Sequence, residues 1–209
     1  MITVSQIFIL ILLTTPILVL STLPAGQTQN AASAAFGLKG GASSSPLKTL
    51  TVQDVEDAQK AWGDAIVSIS AVHKSEGDFV GAAGKAAGEL YGYGHFDKVI
   101  FKPTKAAAYP FRPTAGEAMS YFVGGSNVPG GYDEDKGFAI NGGKGWSKVV
   151  FNNHDVVLDG SSAVAMGEYL FTCATTGEVS KVEYTFGYRA IPDGTVRIWL
   201  HHSSVPYQA

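Results

Sequence analysis

Apolar residues recur at helical spacing over the part of the chain that follows residue 50. From Val52 to Val72 they return every three or four positions, which is the spacing of one buried face of an α-helix. Thr51 and Asp54 stand where side chains can cap the first helical turn. We therefore predict a long amphipathic helix that begins just after Thr51.

Two shorter helices and a short strand are predicted next. Phe79 to Tyr91 is apolar and rich in small residues, which is typical of a helix that packs closely against a neighbour. Residues 99–101 form an apolar run that a proline soon ends, as expected of a first strand. Thr114 and Glu117 occupy the S/T-x-x-E positions of a capping box, so a third helix is predicted over residues 114–122.

Strand-like alternation dominates the remainder of the chain. The predicted strands are Trp146 to Leu158, Ser161 to Cys173, Val179 to Arg189 and Thr195 to Ser203. Short Gly-containing turns between them imply antiparallel pairing of consecutive strands. In the third of these strands one face is apolar or aromatic throughout, and it should line the interior: Val182, Tyr184, Phe186 and Tyr188. Helices followed by a curled antiparallel sheet predict an α+β domain whose sheet wraps the long helix and encloses a pocket.

The last strand ends in a polar sequence, His-His-Ser-Ser. By regular alternation Val196, Ile198 and Leu200 share the buried face, and that face continues into His202 and Ser204. An imidazole and a hydroxyl at the rim of a hydrophobic interior are typical components of a small-molecule site. We therefore expect His202 and Ser204 to face the pocket.

Composition and charge narrow the possible functions. The 209 residues, 45% of them hydrophobic, suit one domain at 51–209 preceded by a leader and linker at 1–50. A net charge of -3 with 16% charged residues provides no basic stripe for nucleic acid and no polybasic patch for a membrane surface. The single cysteine, Cys173, excludes an internal disulfide and any cysteine-based metal cluster.

The leader has the pattern of a targeting segment. Residues 7–20 are almost continuously apolar but short for a membrane span, as in a cleaved signal sequence, with a retained anchor as the alternative. No stable membrane insertion is expected after the leader is removed. Small residues and then an aromatic follow at 31–36, and no acidic residue precedes Asp54. This pattern resembles the bipartite leaders of complex algal plastids. We expect a plastid address, with a secreted or periplasmic destination as the alternative.

Metal-binding patterns are weak. Asp133, Glu134 and Asp135 form an acidic cluster without the spacing of a calcium loop, and we expect a solvated loop there. His201 and His202 point to opposite faces of a regular strand and cannot easily chelate one ion together. The remaining histidines are scattered along the chain.

Several ordered blocks together resemble the iota-class carbonic anhydrases of marine algae and bacteria. The resemblance spans residues 52–207, and its blocks are Phe101 to Ala106, Phe111 to Thr114, Ser120 to Gly125, Gly137 to Trp146, Phe171 to Gly177, Lys181 to Tyr188 and His201 to Pro206. It implies the cone-shaped α+β barrel of nuclear transport factor 2 and of the calcium/calmodulin-dependent kinase II association domain. It also implies interconversion of carbon dioxide and bicarbonate.

The same resemblance implies a site made of hydroxyl groups. Some members of the family work without a metal, while a diatom member has been linked to manganese, so no cofactor is expected and manganese or zinc is the alternative. The matching positions are Thr104, Tyr121 and one serine of the last block, either Ser203 or Ser204. Strand alternation favours Ser204, with His202 as the proton acceptor or relay.

A different class of function shares this fold. The same architecture serves as a non-catalytic ligand receptor or as an oligomerisation module, and a fold does not determine a function. The fold also leads us to expect a homodimer formed through exposed sheet faces, with Trp199 as a candidate contact.

Overall fold

The computed structural model of the protein describes residues 46–208. The predicted targeting signals therefore lie outside the described residues. The helices are α1 (Val52–Lys74), α2 (Phe79–Leu90) and α3 (Ala115–Val123), and two short 3₁₀ helices cover Gly125–Asn127 and Phe138–Gly143. The strands are β1 (Ile100–Lys102), β2 (Trp146–Asp159), β3 (Ser162–Cys173), β4 (Val179–Ala190) and β5 (Val196–Ser204). Every helix and strand predicted from the sequence pattern is confirmed. No helix in this part of the chain is long and apolar enough to cross a membrane.

Both predicted capping boxes are present. The Thr51 hydroxyl accepts a hydrogen bond from the Asp54 amide at 3.2 Å, and the Asp54 carboxylate accepts one from the Thr51 amide at 3.0 Å. Thr114 and Glu117 make the same reciprocal pair at the start of α3. Each box satisfies amide groups that a helix N-terminus leaves without partners, so local sequence fixes where α1 and α3 begin.

The strands form one curved sheet in the order β1-β5-β4-β3-β2. Strands β2 to β5 pair antiparallel, as predicted, whereas β1 pairs parallel with β5 and aligns Phe101 with His201. The predicted α+β fold, a curved antiparallel sheet around N-terminal helices, is confirmed. Strands β1 and β2 are its edges, so the sheet is an open cone.

Helix α1 fills the hollow of this sheet. Trp62, at 2% exposure, contacts six ring systems from α3 and the sheet, with centroids 5.7–6.5 Å away: Phe122, Phe151, Tyr169, Phe171, Phe186 and His201. The apolar face predicted for β4 is buried along its whole length. The core is thus unusually aromatic, and the phenols within it require hydrogen-bonding partners.

Strand β5 contains a bulge that the sequence pattern did not predict. Gly187 pairs with Leu200 and Tyr188 pairs with Ile198, so Trp199 is an extra residue in β5. The indole of Trp199 occupies the space that a side chain at Gly187 would fill, since a Cβ built there lies 2.6 Å from it. The missing side chain therefore makes room for the bulge.

The bulge reverses the alternation of the residues that follow it. His201 and Ser203 are 2% and 1% exposed, while His202 is exposed and Ser204 is half-buried. The expectation that His202 and Ser204 continue the buried face is therefore wrong. One extra residue changes which half of the His-His-Ser-Ser sequence faces the interior.

Candidate active site

Thr104 and Tyr121 meet at one end of the cone. Strand β1 runs parallel to β5, so Thr104, which follows β1 by two residues, lies beside the C-terminal end of β5. Helix α3 buries Tyr121, and the phenol oxygen accepts a long hydrogen bond of 3.5 Å from the Lys105 amide. Burial raises the pKa of Tyr121 strongly, although hydrogen bonds from Lys105 and Thr104 oppose the shift. The phenol therefore stays protonated and can donate a hydrogen bond.

Tyr169 of β3 stands at the centre of the site, and sequence reasoning missed it. Its hydroxyl is within hydrogen-bonding distance of the Ser203 hydroxyl and lies 3.4 Å from Nε2 of His201. Burial raises the pKa of Tyr169, and hydrogen bonds with Ser203 and Thr104 oppose the shift. Alternation along β3 places Tyr169 on the inner face, so its burial was predictable, but its partners come from distant segments. Thr104, Tyr121, Tyr169 and Ser203 are called the hydroxyl cluster below.

The buried imidazole of His201 contacts this cluster from the interior of the cone. Nε2 lies 2.9 Å from the Ser203 hydroxyl, and Nδ1 lies 2.7 Å from the hydroxyl of Tyr91, a residue that sequence reasoning also missed. Burial lowers the pKa of His201 well below its usual value, and the neighbouring His202 lowers it further. The ring is therefore neutral at physiological pH, with both nitrogens engaged.

The other two predicted residues lie on the opposite face of the sheet. Ser204 donates a hydrogen bond to the Glu183 carboxylate at 3.1 Å. Both His202 and Ser204 line an open cleft of about 560 Å³ on the outer face, together with Met166. The structure thus brings together Thr104, Tyr121 and Ser203, and separates His202 and Ser204 from them.

A cleft of about 250 Å³ leads from the surface to Tyr121. Phe138 and Trp146 supply apolar walls, and two lysines and two carboxylates give the rest of the lining a balanced charge. The opening therefore suits a small apolar molecule.

The loop that contains the acidic cluster at 133–135 connects neighbouring segments through hydrogen bonds and an ion pair. The expectation of a solvated loop is wrong for Asp135. Its carboxylate is buried and pairs at 2.8 Å with Arg112, whose side chain is fully buried. Glu134 accepts hydrogen bonds from the amides of residues 107–109, and these bonds lower the pKa of its carboxyl to about 2. Within residues 46–208, no three His, Cys, Asp or Glu side chains are grouped closely enough to hold a metal ion.

Fold and site together define a class: a cone-shaped α+β protein whose buried site is made of hydroxyl groups backed by a neutral imidazole. The family model described as metal-independent carbonic anhydrase matches residues 53–205. The chain belongs to this metal-independent carbonic anhydrase family. The resemblance stated from the sequence blocks is thereby confirmed, and the expectation of no cofactor agrees with the family's description.

Two relatives agree with this assignment. The metal-independent carbonic anhydrase of the cyanobacterium Nostoc sp. (strain PCC 7120) is 37% identical over 164 residues, which cover 77% of this chain and 76% of the relative. The crystal structure of a cyanobacterial iota-carbonic anhydrase complexed with bicarbonate is 36% identical. It superimposes with a TM-score of 0.71 over 77% of this chain and 95% of that structure.

Proposed function

We propose that this protein catalyses the reversible hydration of carbon dioxide to bicarbonate and a proton, without a metal. The observation that carries the proposal is the convergence of Thr104, Tyr121, Tyr169 and Ser203 at the end of an aromatic interior. The crystal structure to which the chain is similar contains bicarbonate, which is the product expected here.

The chemistry follows from where charge develops. Carbon dioxide is apolar and can enter between aromatic walls such as Phe138, which stacks on Tyr121 at 5.4 Å. When water attacks the carbon, negative charge grows on the carbon dioxide oxygens, and hydroxyl donors aimed at them stabilise the transition state more than the substrate. Loss of one such donor typically costs about 2.7–4 kcal/mol of transition-state stabilisation.

The assigned roles differ from those expected from alternation. Thr104, Tyr121 and Ser203 are the proposed catalytic residues, and Tyr169 joins them because its hydroxyl contacts Ser203. His201 replaces His202 as the histidine of the site, since only its ring reaches the hydroxyl cluster. Because both of its nitrogens are engaged, His201 is not the acceptor of the proton released from water.

The proposal is tested by a stopped-flow pH-indicator assay of carbon dioxide hydration on the purified protein. We expect hydration above the buffer rate. Complete inactivity of the folded protein would refute the proposal and favour a non-catalytic ligand-binding or oligomerisation module.

We also propose a homodimer formed through the outer face of the sheet. Val157 and Met166 point outward and are 62% and 52% exposed, which is unusual for apolar residues on long strands. Pairing two such faces would cover them. Sedimentation analysis should show a dimer that Met166→Glu weakens; a monomer at all micromolar concentrations would contradict this proposal.

We further propose that residues 1–50 carry the plastid address predicted from their composition. A fluorescent protein fused after residue 50 should enter the plastid of an alga with complex plastids. Secretion of the fusion would favour the alternative destination, and a cytosolic fusion would exclude both.

A further inference from the structure

Two residues behind the site, Trp62 and Tyr91, form a hydrogen-bond chain that ends at His201. The indole nitrogen of Trp62 lies 2.9 Å from the Tyr91 hydroxyl, which lies 2.7 Å from Nδ1 of His201. We propose that Tyr91, oriented by Trp62, holds His201 in the Nε2–H tautomer and thereby directs the hydroxyl cluster to donate hydrogen bonds toward the substrate. Tyr91 is then a positioning residue for the reaction proposed above, on which this inference rests.

The donor and acceptor capacities of these groups fix the direction of the chain. An indole nitrogen can only donate, so the Tyr91 oxygen accepts from Trp62. The Tyr91 proton must then go to another acceptor, and Nδ1 of His201 is the one within reach among the described residues. A nitrogen that accepts carries no proton, so the single proton of the neutral ring is on Nε2.

Packing prevents the ring from adopting the opposite orientation. Phe101 stacks on the His201 ring with centroids 4.6 Å apart, and Phe186 packs at 4.0 Å from another side. The edge of Trp62 closes a third side at 5.7 Å. The polar groups that face the ring nitrogens are the hydroxyls of Tyr91, Tyr169 and Ser203, and the adjacent His202 points to the outer surface. Burying an unpaired polar nitrogen against these aromatic faces would cost more than keeping the present arrangement.

The donor-to-acceptor direction of the hydrogen bonds at His201 also determines their direction in the hydroxyl cluster. Nε2–H donates to the Ser203 oxygen at 2.9 Å, which leaves the Ser203 proton free to go to Tyr169. The Tyr169 oxygen then accepts from Ser203, and its own proton is left for an acceptor at the end of the cone. The Ser203 oxygen and then the Tyr169 oxygen each accept one hydrogen bond, so the Tyr169 O–H is available to donate to the developing charge on the carbon dioxide oxygens.

This arrangement predicts that His201 does not accept the proton of the attacking water. Nδ1 already accepts from Tyr91, and Nε2 already carries a proton. The usual assignment of a buried active-site histidine as a general base therefore does not apply to this ring. The His201 ring instead orients the hydroxyl groups of the cluster.

The test is nitrogen-15 NMR of protein labelled at histidine, which separates protonated from unprotonated ring nitrogens. In the full chain we expect Nε2 of His201 to be protonated and Nδ1 to accept a hydrogen bond between pH 6 and pH 8. Assignment comes from the spectrum of His201→Gln. An Nδ1–H tautomer in the wild-type protein would overturn the inference.

The matched variants are Tyr91→Phe and Tyr93→Phe. Tyr93 stacks on Tyr91, but its hydroxyl donates to the Arg112 carbonyl and does not touch His201. Tyr91→Phe should shift the Nδ1 resonance and lower kcat by about tenfold, as for one lost hydrogen bond, with little change in KM. Tyr93→Phe should leave the resonance and kcat unchanged. Identical Nδ1 resonances in Tyr91→Phe and wild-type protein would contradict the role of Tyr91.

Different results would overturn the proposed hydration activity and the positioning role of Tyr91. The tautomer is read from the spectrum without any hydration assay, so an inactive protein with an Nε2–H ring overturns the proposed function alone. An active protein with an Nδ1–H ring overturns the positioning role alone. If Tyr91→Phe does not fold, the wild-type spectrum still decides the question.

Discussion

At the scale of single residues, two adjacent serines have opposite surroundings. Ser203 is buried against Tyr169 and His201, whereas Ser204 binds Glu183 on the outer face. We expect Ser203→Ala to lower the hydration rate tenfold or more, because it removes a donor from the hydroxyl cluster. Ser204→Ala is the matched control and should retain wild-type activity in the stopped-flow assay. A lower hydration rate in Ser204→Ala than in Ser203→Ala would contradict the placement of the site on the buried face of β5.

Thr104 and Tyr121 provide a second test at this scale. Tyr121→Phe keeps the buried ring and removes only the hydroxyl, and Thr104→Ala removes the hydroxyl beside it. Each change should lower kcat/KM tenfold or more while the melting temperature shifts little. Wild-type rates in both variants, with intact near-ultraviolet circular dichroism, would contradict the assignment.

The neutral state of His201 has a consequence for stability. The unfolded chain takes up a proton at this histidine below about pH 6.5, but the folded chain does not, because burial lowers the pKa of His201. The unfolded state therefore binds more protons, and the free energy of unfolding should fall by up to about 1.4 kcal/mol per pH unit below pH 6.5.

Urea unfolding between pH 5 and pH 8 measures this effect. The variant His201→Gln lacks the titrating ring and should show a weaker pH dependence than the wild-type protein over that range. Equal slopes in the two proteins would mean that the buried ring is charged in the folded state.

At the scale of elements, the bulge in β5 decides which residues form the site. A Cβ at Gly187 would lie 2.6 Å from the Trp199 indole and 2.9 Å from the Cβ of Leu200, so Gly187→Ala forces the two strands to shift. We expect a loss of about 1–3 kcal/mol in the free energy of unfolding, together with reduced activity. Gly84→Ala, in the exposed part of α2 with no neighbour within 4 Å, is the control and should be neutral or stabilising. Equal stability of the two variants would show that Gly187 does not hold the bulge.

The same strand shows what the sequence could and could not predict. Period-three-and-four and period-two patterns located each helix and strand because those patterns are local. The bulge at Trp199 depends on Gly187 in the neighbouring strand, and the parallel pairing of β1 with β5 joins residues about a hundred positions apart. Neither leaves a mark in the local alternation, so the burial of His201 and Ser203 could not be predicted from the sequence, whereas alternation along β3 already places Tyr169 on the inner face.

At the scale of the whole molecule, the site is assembled from four segments that lie far apart in the sequence. The chain after β1 supplies Thr104, α3 supplies Tyr121, and β3 and β5 supply Tyr169 and Ser203. The buried pair of Arg112 and Asp135 ties the segment after β1 to the loop after α3. Because every hydroxyl must be positioned to act without a metal, catalysis here depends on the rigidity of the whole cone.

Metal-free hydration of carbon dioxide by hydroxyl groups can be checked with a single rate measurement. The protein is freed of metal by chelator and dialysis, metal content is checked by mass spectrometry, and carbon dioxide hydration is followed by stopped flow. We expect the hydration rate per protein molecule to be unchanged by metal removal. A rate that falls to the buffer value and returns on addition of manganese or zinc would contradict it.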